Sequence, residues 1–309
     1  MNKFVGIVIL NWNGVKDTIE CIDSVLQATY VNYKIYIIDN GSADNSVDIL
    51  TKQYSTEDKV KVISTGKNLG FSGGNNVGMR LAMEEGSDYL LLLNNDTEVD
   101  PGFLEPMVDV LDNNSDIGVT SGKIYFYNTD KQVWFYGGLM DRDTAVGHAI
   151  NWREYDTGQI NKSRDVDYAT GCALMVRREV VETVGYLDDD FFYLCEDAEY
   201  CFRVFDAGYR ITVVPDSIVW HKVTASLAGG EEAPIRLYFR ARNQLLQVLK
   251  TKNKKHPYLC WLKLAYLDVK YIVKRIVKGM PLKGTFYFIW GIADFLRGRR
   301  GNIPLVNGK

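Results

Sequence analysis

Apolar and polar positions fall into blocks along this chain. Short uninterrupted apolar runs, Phe4–Leu10, Tyr33–Ile38 and Tyr89–Leu93, read as strands buried on both faces, and Lys59–Ser64 reads as a more polar one. Val15, Ile19, Ile22 and Leu26 recur at helical spacing over residues 15–28. A Ser/Asp-rich turn caps a helix over 46–55, and another helix is expected over Asn76–Glu85. This β-α-β-α-β rhythm predicts a parallel sheet with right-handed crossovers.

Past residue 100 the rhythm loosens. Pro101 opens a helix, strand-like pieces lie near Val119–Tyr127 and Val133–Tyr136, and 139–164 is polar and irregular, with His148 an exposed loop residue. Asp167–Arg177 reads as a loop entering a buried strand, and Glu179–Val184 as a short helix stopped at Gly185. The aromatic run Phe191-Phe-Tyr193 precedes a helix that starts at Asp197, and Tyr209–Val214 with Ser217–Trp220 lead to His221. Residues 222–234, with Gly229-Gly230, read as a mobile loop able to close over a ligand, and a helix begins near Arg236. Between 258 and 290, Tyr258, Leu262, Tyr266, Val269, Ile272, Val273 and Ile276 interleave with Lys263, Lys270, Lys274, Arg275 and Lys278. That is the pattern of a basic amphipathic helix, broken at Gly279–Gly284.

Composition adds one asymmetry. The 309 residues, 46% apolar and 24% charged, suit an ordinary globular protein of one large domain or two smaller ones. The net charge of −3 conceals a split: residues 251–309 hold 13 Lys/Arg and 2 Asp/Glu, against 23 and 37 in residues 1–250. A basic appendage on an acidic body points to an anionic partner, a membrane or a nucleic acid. The five cysteines are scattered without zinc-finger spacing, which suits free thiols in a reducing cytosol. The first residues leave no room for a secretory signal, and no stretch reaches the ~18–20 apolar residues of a spanning helix. The expected location is cytoplasmic, at most peripheral on the inner face of the membrane.

Candidate chemistry gathers where apolar runs end. Asn94, Asn95, Asp96 and Glu98 follow a central strand, where ligands of open α/β sheets sit, and their oxygens suit Mg²⁺ or Mn²⁺. The same residues also make a good solvated turn. Asp39 stands where an acidic residue meets a ribose hydroxyl or base edge, or else caps a turn. Asn68–Gly78 has four glycines in eleven residues, so its backbone can approach a ligand closely, and the helix amides beyond it could face a diphosphate. Glu196, Asp197 and Glu199 follow the aromatic run, which can desolvate a carboxylate and raise its pKa toward that of a useful base. They equally suit the positive end of a helix dipole. No phosphate loop and no Gly-x-Gly-x-x-Gly follows the first strand, which argues against a kinase, an ATPase or a dehydrogenase.

Four pieces in order, Ile7-Val-Ile-Leu-Asn-Trp-Asn13, Ile37-Ile-Asp-Asn-Gly-Ser-Ala-Asp44, Asn68-Leu-Gly-Phe-Ser-Gly-Gly-Asn75 and Leu92-Leu-Asn-Asn-Asp-Thr97, carry a family resemblance. Over about residues 4–245 the chain resembles the family 2 glycosyltransferases, particularly their rhamnosyltransferase-like branch. The resemblance implies an α/β fold of the GT-A (Rossmann-like) type, with a mixed, mainly parallel sheet flanked by helices. The nucleotide-binding half would be 1–100, the acceptor half 101–245 and a basic amphipathic helical extension 246–309. It implies that Asn11, Asn13, Asp39 and Asn40 hold the nucleotide and that Asn68, Gly70, Gly74 and Asn75 line the donor site. Asn94-Asn95-Asp96 would be the Asp-x-Asp-like metal and diphosphate site, with an amide replacing the first carboxylate and Asp96 the best ligand. Glu196-Asp197 with Glu199 and Arg203 looks like the family's Glu-Asp-x-Glu/Asp…Arg signature. Asp197 would then be the general base and Glu196 its acceptor-positioning neighbour, with Glu199 and Arg203 paired one helical turn apart. His221 would complete the metal shell; the alternative is a strand-end His bonded to backbone. Arg236, Arg240 and Arg242-Asn243 resemble a Tyr-x-x-Arg-Asn segment from which one arginine could neutralise the leaving diphosphate. Segment 139–164 would cover the acceptor side.

The expected activity is inverting transfer of a rhamnose-like sugar from dTDP-rhamnose or a UDP-sugar, with Mg²⁺ or Mn²⁺. The acceptor would be a hydroxyl of a saccharide or lipid-linked saccharide, in cell-surface polysaccharide synthesis. Residues 258–300 would touch a membrane surface or pack on the core, and no nucleic-acid partner follows. One alternative is a nucleotidyltransferase, which would normally carry a Gly-rich loop with basic residues after its first strand. The other is a non-catalytic sugar- or membrane-binding protein on a transferase scaffold.

Overall fold

The computed structural model describes residues 3–223, 233–252, 254, 256 and 259–303, so the Gly229-Gly230 loop and Tyr258 lie outside the described residues. Strands β1 (Val5–Asn11), β2 (Tyr33–Asp39), β3 (Val60–Ser64) and β4 (Tyr89–Asn94) pair in parallel in the order β3-β2-β1-β4. Helices α1 (Val15–Val25), α2 (Ser46–Gln53) and α3 (Gly70–Glu84) are the crossovers. The apolar runs need no alternation because both faces are covered: Val5, Ile7 and Ile9 pack with residues of α1, whereas Val8 packs with α3.

β5 (Thr97–Val99), α4 (Leu104–Asn113), β6 (Ile117–Phe126) and β7 (Val133–Phe135) follow, then the hairpin β8 (Gly138–Asp141) and β9 (Val146–Ala149), and β10 (Arg164–Asp165). Segment 139–164, expected to be irregular throughout, thus contains that hairpin, with His148 exposed on β9. β11 (Ala173–Arg177), α5 (Arg178–Val184), α6 (Glu196–Asp206) and β12 (Arg210–His221) complete this part. β12 is one strand instead of two, with a register shift between Val214 and Ile218. β11 inserts antiparallel between β4 and β6, and β12 runs parallel to β6. The carboxyl ends of β1, β2, β4, β6 and β12 therefore share one edge with the amino end of β11.

The expected start of α3 at Asn76 is corrected to Gly70. Glycines inside a helix cost roughly 1 kcal/mol each relative to Ala, but here they let α3 press on β1. A Cβ at Gly74 would lie 2.4 Å from Leu10 Cδ1, and one at Gly78 2.4 Å from Val8 Cγ1.

Three helices follow β12: α7 (Pro234–Lys250), α8 (Cys260–Val277) and α9 (Leu282–Leu296). α9 closes on α7 at Gly291, where a Cβ would stand 2.3 Å from the Tyr238 carbonyl oxygen. The Tyr238 hydroxyl donates to fully buried Asp294 at 3.0 Å. Gly291→Ala should therefore destabilise the protein by about 1–3 kcal/mol, read as a lower urea midpoint. An unchanged midpoint would contradict this packing.

Candidate active site

The β1 and β2 ends form a closed polar knot. Asn11 Nδ2 donates to Asp39 Oδ2 at 2.7 Å, the Ser42 amide donates to Asp39 Oδ1 at 3.0 Å, and Thr18 Oγ1 donates to Asn11 Oδ1 at 2.8 Å. Asp39 is fully buried, so its oxygens order the Ser42 turn from behind. Asn13, at the rim, receives the Ala43 amide at 2.7 Å. Asn95 Nδ2 reaches Thr18 Oγ1 at 2.9 Å and so ties the β4 end to this knot.

The glycine-rich stretch is equally occupied. Asn40 Oδ1 accepts from the Leu69 amide at 2.9 Å, Asn68 Oδ1 from the Gly70 amide at 2.8 Å, and the Phe192 carbonyl from the Phe71 amide at 2.7 Å. Asn75 Nδ2 donates to the Phe71 carbonyl at 2.9 Å. The Gly70 and Phe71 amides that begin α3 thus serve the protein and do not stand open toward a diphosphate. Gly70, at φ +78°, is needed because a Cβ would fall 2.4 Å from the Phe192 oxygen.

Asp96 and His221 meet across the sheet. β12 pairs with β5 so that His221 faces Thr97, and the Lys222 amide donates to the Asp96 carbonyl at 2.9 Å. That register brings Asp96 Oδ1 to 3.0 Å from His221 Nε2, both side chains buried. His221 Nδ1 is buried without a partner among the described residues, so the ring is not tied to a backbone carbonyl; the Trp134 ring meets it edge-on at 4.3 Å. Lys222 pairs with Asp17, Glu20 and Glu98, which pins the strand end to α1 and β5.

These residues fit a small divalent cation. Asp96 and His221 hydrogen-bond at 3.0 Å, a separation that ligand atoms about 2.1 Å from an ion at adjacent octahedral positions would also show. Among the described residues no group of three or more His, Cys, Asp or Glu gathers as a metal site. Two protein ligands, with water and substrate phosphates completing the shell, are ordinary for Mg²⁺. The Asn94 side chain, half-buried at the β4 end, makes no hydrogen bond among the described residues, so its amide oxygen is available as a weaker ligand.

Asp197 opens α6 across a short bridge from this pair. The Gly171 amide donates to Asp197 Oδ2 at 3.1 Å and the Ala198 amide to Oδ1 at 2.8 Å. One residue on, the Cys172 carbonyl accepts the Asn94 amide at 2.9 Å. Cys172 feels both sides: burial first, then the charges of Asp96 and Asp197, push its thiol well above the ordinary range. Burial raises the Asp197 carboxyl above its ordinary value, and the backbone N–H donors oppose that rise. Glu196, 6% exposed, is pushed up further by burial and then by the Asp197 charge, and its Oε2 has no partner among the described residues. Glu199 forms the expected pair with Arg203, whose Nε donates at 2.8 Å.

Several residues of this centre carry no signal in the sequence. Leu194 and Cys195 adopt φ of +69° and +72°, and neither residue type advertises a left-handed turn. Asn243 holds that turn by donating from Nδ2 to the Tyr193 and Leu194 carbonyls, both at 2.8 Å. Arg242, fully buried, donates to Asn243 Oδ1 at 2.8 Å and to the Gly301 carbonyl at 2.6 Å. It is consumed by the fold, whereas half-buried Arg236 touches the Tyr193 hydroxyl at 3.2 Å and acts electrostatically on Glu196. Arg240 is exposed over the Tyr271 ring.

A carboxyl raised on folding contributes stability that is complete below its unfolded pKa, near 4.5 for Glu196, and is lost as pH rises through the folded value. Glu196→Gln should therefore melt like the parent at low pH. Above that range it should melt higher, the gap widening by at most about 1.4 kcal/mol per pH unit. Calorimetric melts across pH decide it, and a gap that shrinks with rising pH would contradict the burial argument.

Known proteins resemble this chain in sequence and in fold. The chain is 25% identical over 256 residues to the dTDP-rhamnosyl transferase RfbF of Shigella flexneri, covering 81% of each chain. It is 23% identical over 304 residues to the low-salt glycan biosynthesis hexosyltransferase Agl10 of Haloferax volcanii, covering 96% of this chain and 92% of the relative. The solved structure of the mannosyltransferase PcManGT of Pyrobaculum calidifontis, in complex with GDP-Man and Mn²⁺, superposes with a TM-score of 0.62 at 14% identity, over 97% of this chain and 89% of that one. The fold is GT-A. The family model described as glycosyl transferase family 2 matches residues 6–185, more than half of the sequence, and the chain belongs to that family of sugar-transferring enzymes.

Proposed function

We propose that this enzyme transfers a sugar from a nucleotide diphosphate to an acceptor hydroxyl with inversion, Asp197 acting as general base. The observation that carries the reading is the half-buried Asp197 carboxylate, raised by burial and fixed in orientation by the Gly171 and Ala198 amides. A base oriented by backbone donors accepts the acceptor proton as the acceptor oxygen attacks the anomeric carbon, opposite the departing diphosphate. Burial favours the proton-bearing form of Glu196, which relieves repulsion beside Asp197 and leaves a neutral donor for the acceptor.

Asp96 and His221, with Asn94, would hold Mg²⁺ or Mn²⁺, which when bound offsets the charge of the leaving diphosphate. Arg236 is the arginine of its segment available to the same charge, since Arg242 is spent on carbonyl oxygens. The knot of Asn11, Asp39 and Ser42 shapes the nucleotide rim, with Asn13 at its surface and Asn40 and Asn68 fixing the neighbouring turn. The likeness to RfbF favours dTDP-rhamnose, with UDP-sugars next and a saccharide or lipid-linked saccharide as acceptor. Residues 1–100 are then the nucleotide half, 101–245 the acceptor half and 246–309 an extension.

Asp197→Asn should lower turnover by roughly 10²–10⁴-fold while leaving nucleotide affinity within two- to three-fold of about parental, read by a coupled nucleotide-release assay. The parent's activity should fall below a pKa higher than the ordinary Asp value of 3.8. A variant that retains turnover would overturn the assignment, as would a product that keeps the donor's anomeric configuration.

A further inference from the structure

α8 is amphipathic the wrong way round for a helix that only packs on its own protein. Its buried residues are Cys260, Leu264 and Arg275. Arg275 turns this inner edge polar: Nε donates to Thr285 Oγ1 at 3.1 Å and Nη1 to the Tyr271 hydroxyl at 3.3 Å. The outer stripe is apolar instead. Leu262, Tyr266, Val269, Val273 and Ile276 recur at alternating steps of four and three, each between 51% and 68% exposed. At the turn into α9 the surface continues through Val277, Leu282 and Phe286, exposed by 80%, 75% and 65%. Scattered exposed apolar residues are ordinary, but a continuous stripe of this kind marks a contact surface.

Charge identifies the occupant. Lys263, Lys270 and Lys274 follow one flank of the stripe at helical spacing, Lys263 paired at 3.7 Å with Asp143, and the one carboxylate on α8, Asp268, is half-buried. A second copy docking stripe to stripe would bring from its own α8 only the half-buried Asp268 to face these lysines. An anionic bilayer offers headgroup phosphates to the lysines and an acyl boundary to the stripe. The acidic body, 23 Lys/Arg against 37 Asp/Glu in residues 1–250, is repelled by such a surface and leaves this face to make the contact. No helix of the described residues is long and apolar enough to cross a membrane.

We propose that α8 and the start of α9 form a docking face that lies in the plane of an anionic membrane. The five stripe residues enter the headgroup–acyl boundary, and Lys270 and Lys274 hold lipid phosphates. α7 links this face to the site, because α9 packs on it at Gly291 while its Asn243 holds the turn before α6. The proposal stands independently of sugar transfer, since lipid binding needs neither donor nor acceptor.

The test is co-sedimentation of the intact protein with vesicles of phosphatidylcholine alone or mixed with phosphatidylglycerol, alongside light scattering for mass. Binding should require phosphatidylglycerol and weaken with salt. Val269→Asp with Val273→Asp should abolish it, and Lys270→Glu and Lys274→Glu should each weaken it by at least roughly five-fold. Failure to bind, or equal binding to both vesicle types, overturns the proposal. So does a wild-type dimer that ignores vesicles and falls to monomer in the double-Asp variant. Circular dichroism checks each variant's fold, and the salt dependence of the unaltered protein decides the matter if one fails to fold.

Discussion

The site depends on one seam in the sheet, the antiparallel entry of β11 beside β4. There the Cys172 carbonyl accepts the Asn94 amide, and the residue before it, Gly171, gives its own amide to Asp197. Two successive residues thus hold the β4 end on one side and the proposed base on the other. Gly171 also sits close under the Phe71 ring, which a Cβ would approach to 3.1 Å. The distance between the two centres is therefore set by backbone, which is stiffer than any pair of side chains. That is the kind of preorganisation a single-displacement reaction uses.

The second constraint comes from beyond the sheet. Left-handed backbone at a non-glycine residue costs of order 1–3 kcal/mol, and Leu194 and Cys195 adopt it in succession just before α6. The turn persists because Asn243 binds the two carbonyls it exposes, and Arg242 fixes Asn243 in turn. α7 is consequently part of the site's support, and through α9 it carries the basic α8 as well. The helical extension and the reacting end of the sheet are mechanically one assembly.

Much of this was legible in the chain. Val5–Ile9 and Tyr89–Leu93 are apolar without alternation because helices cover both faces, so burial itself writes the signal. Asp96 and Asp197 stood out through the family resemblance, since by residue type alone they suited a solvated turn and a helix start equally well. What was hidden was context. The glycines of 70–78 read as a loop because the close approach of α3 to Leu10 and Val8 is a property of the packed pair. Arg242 read as a free cation because its carbonyl partners, at Asp190 and Gly301, are distant in sequence. Which face of α8 turns inward is not written in its own spacing, because it depends on Arg275 meeting Thr285, ten residues on.

The most direct measurement is a calorimetric titration of dTDP and of UDP, each with and without Mn²⁺, into the parent and Asp96→Ala. The account predicts that one nucleotide binds the parent in a metal-dependent way and that the variant loses this binding. Absence of binding by both nucleotides, or binding indifferent to the metal and to Asp96, would contradict the site at the sheet edge.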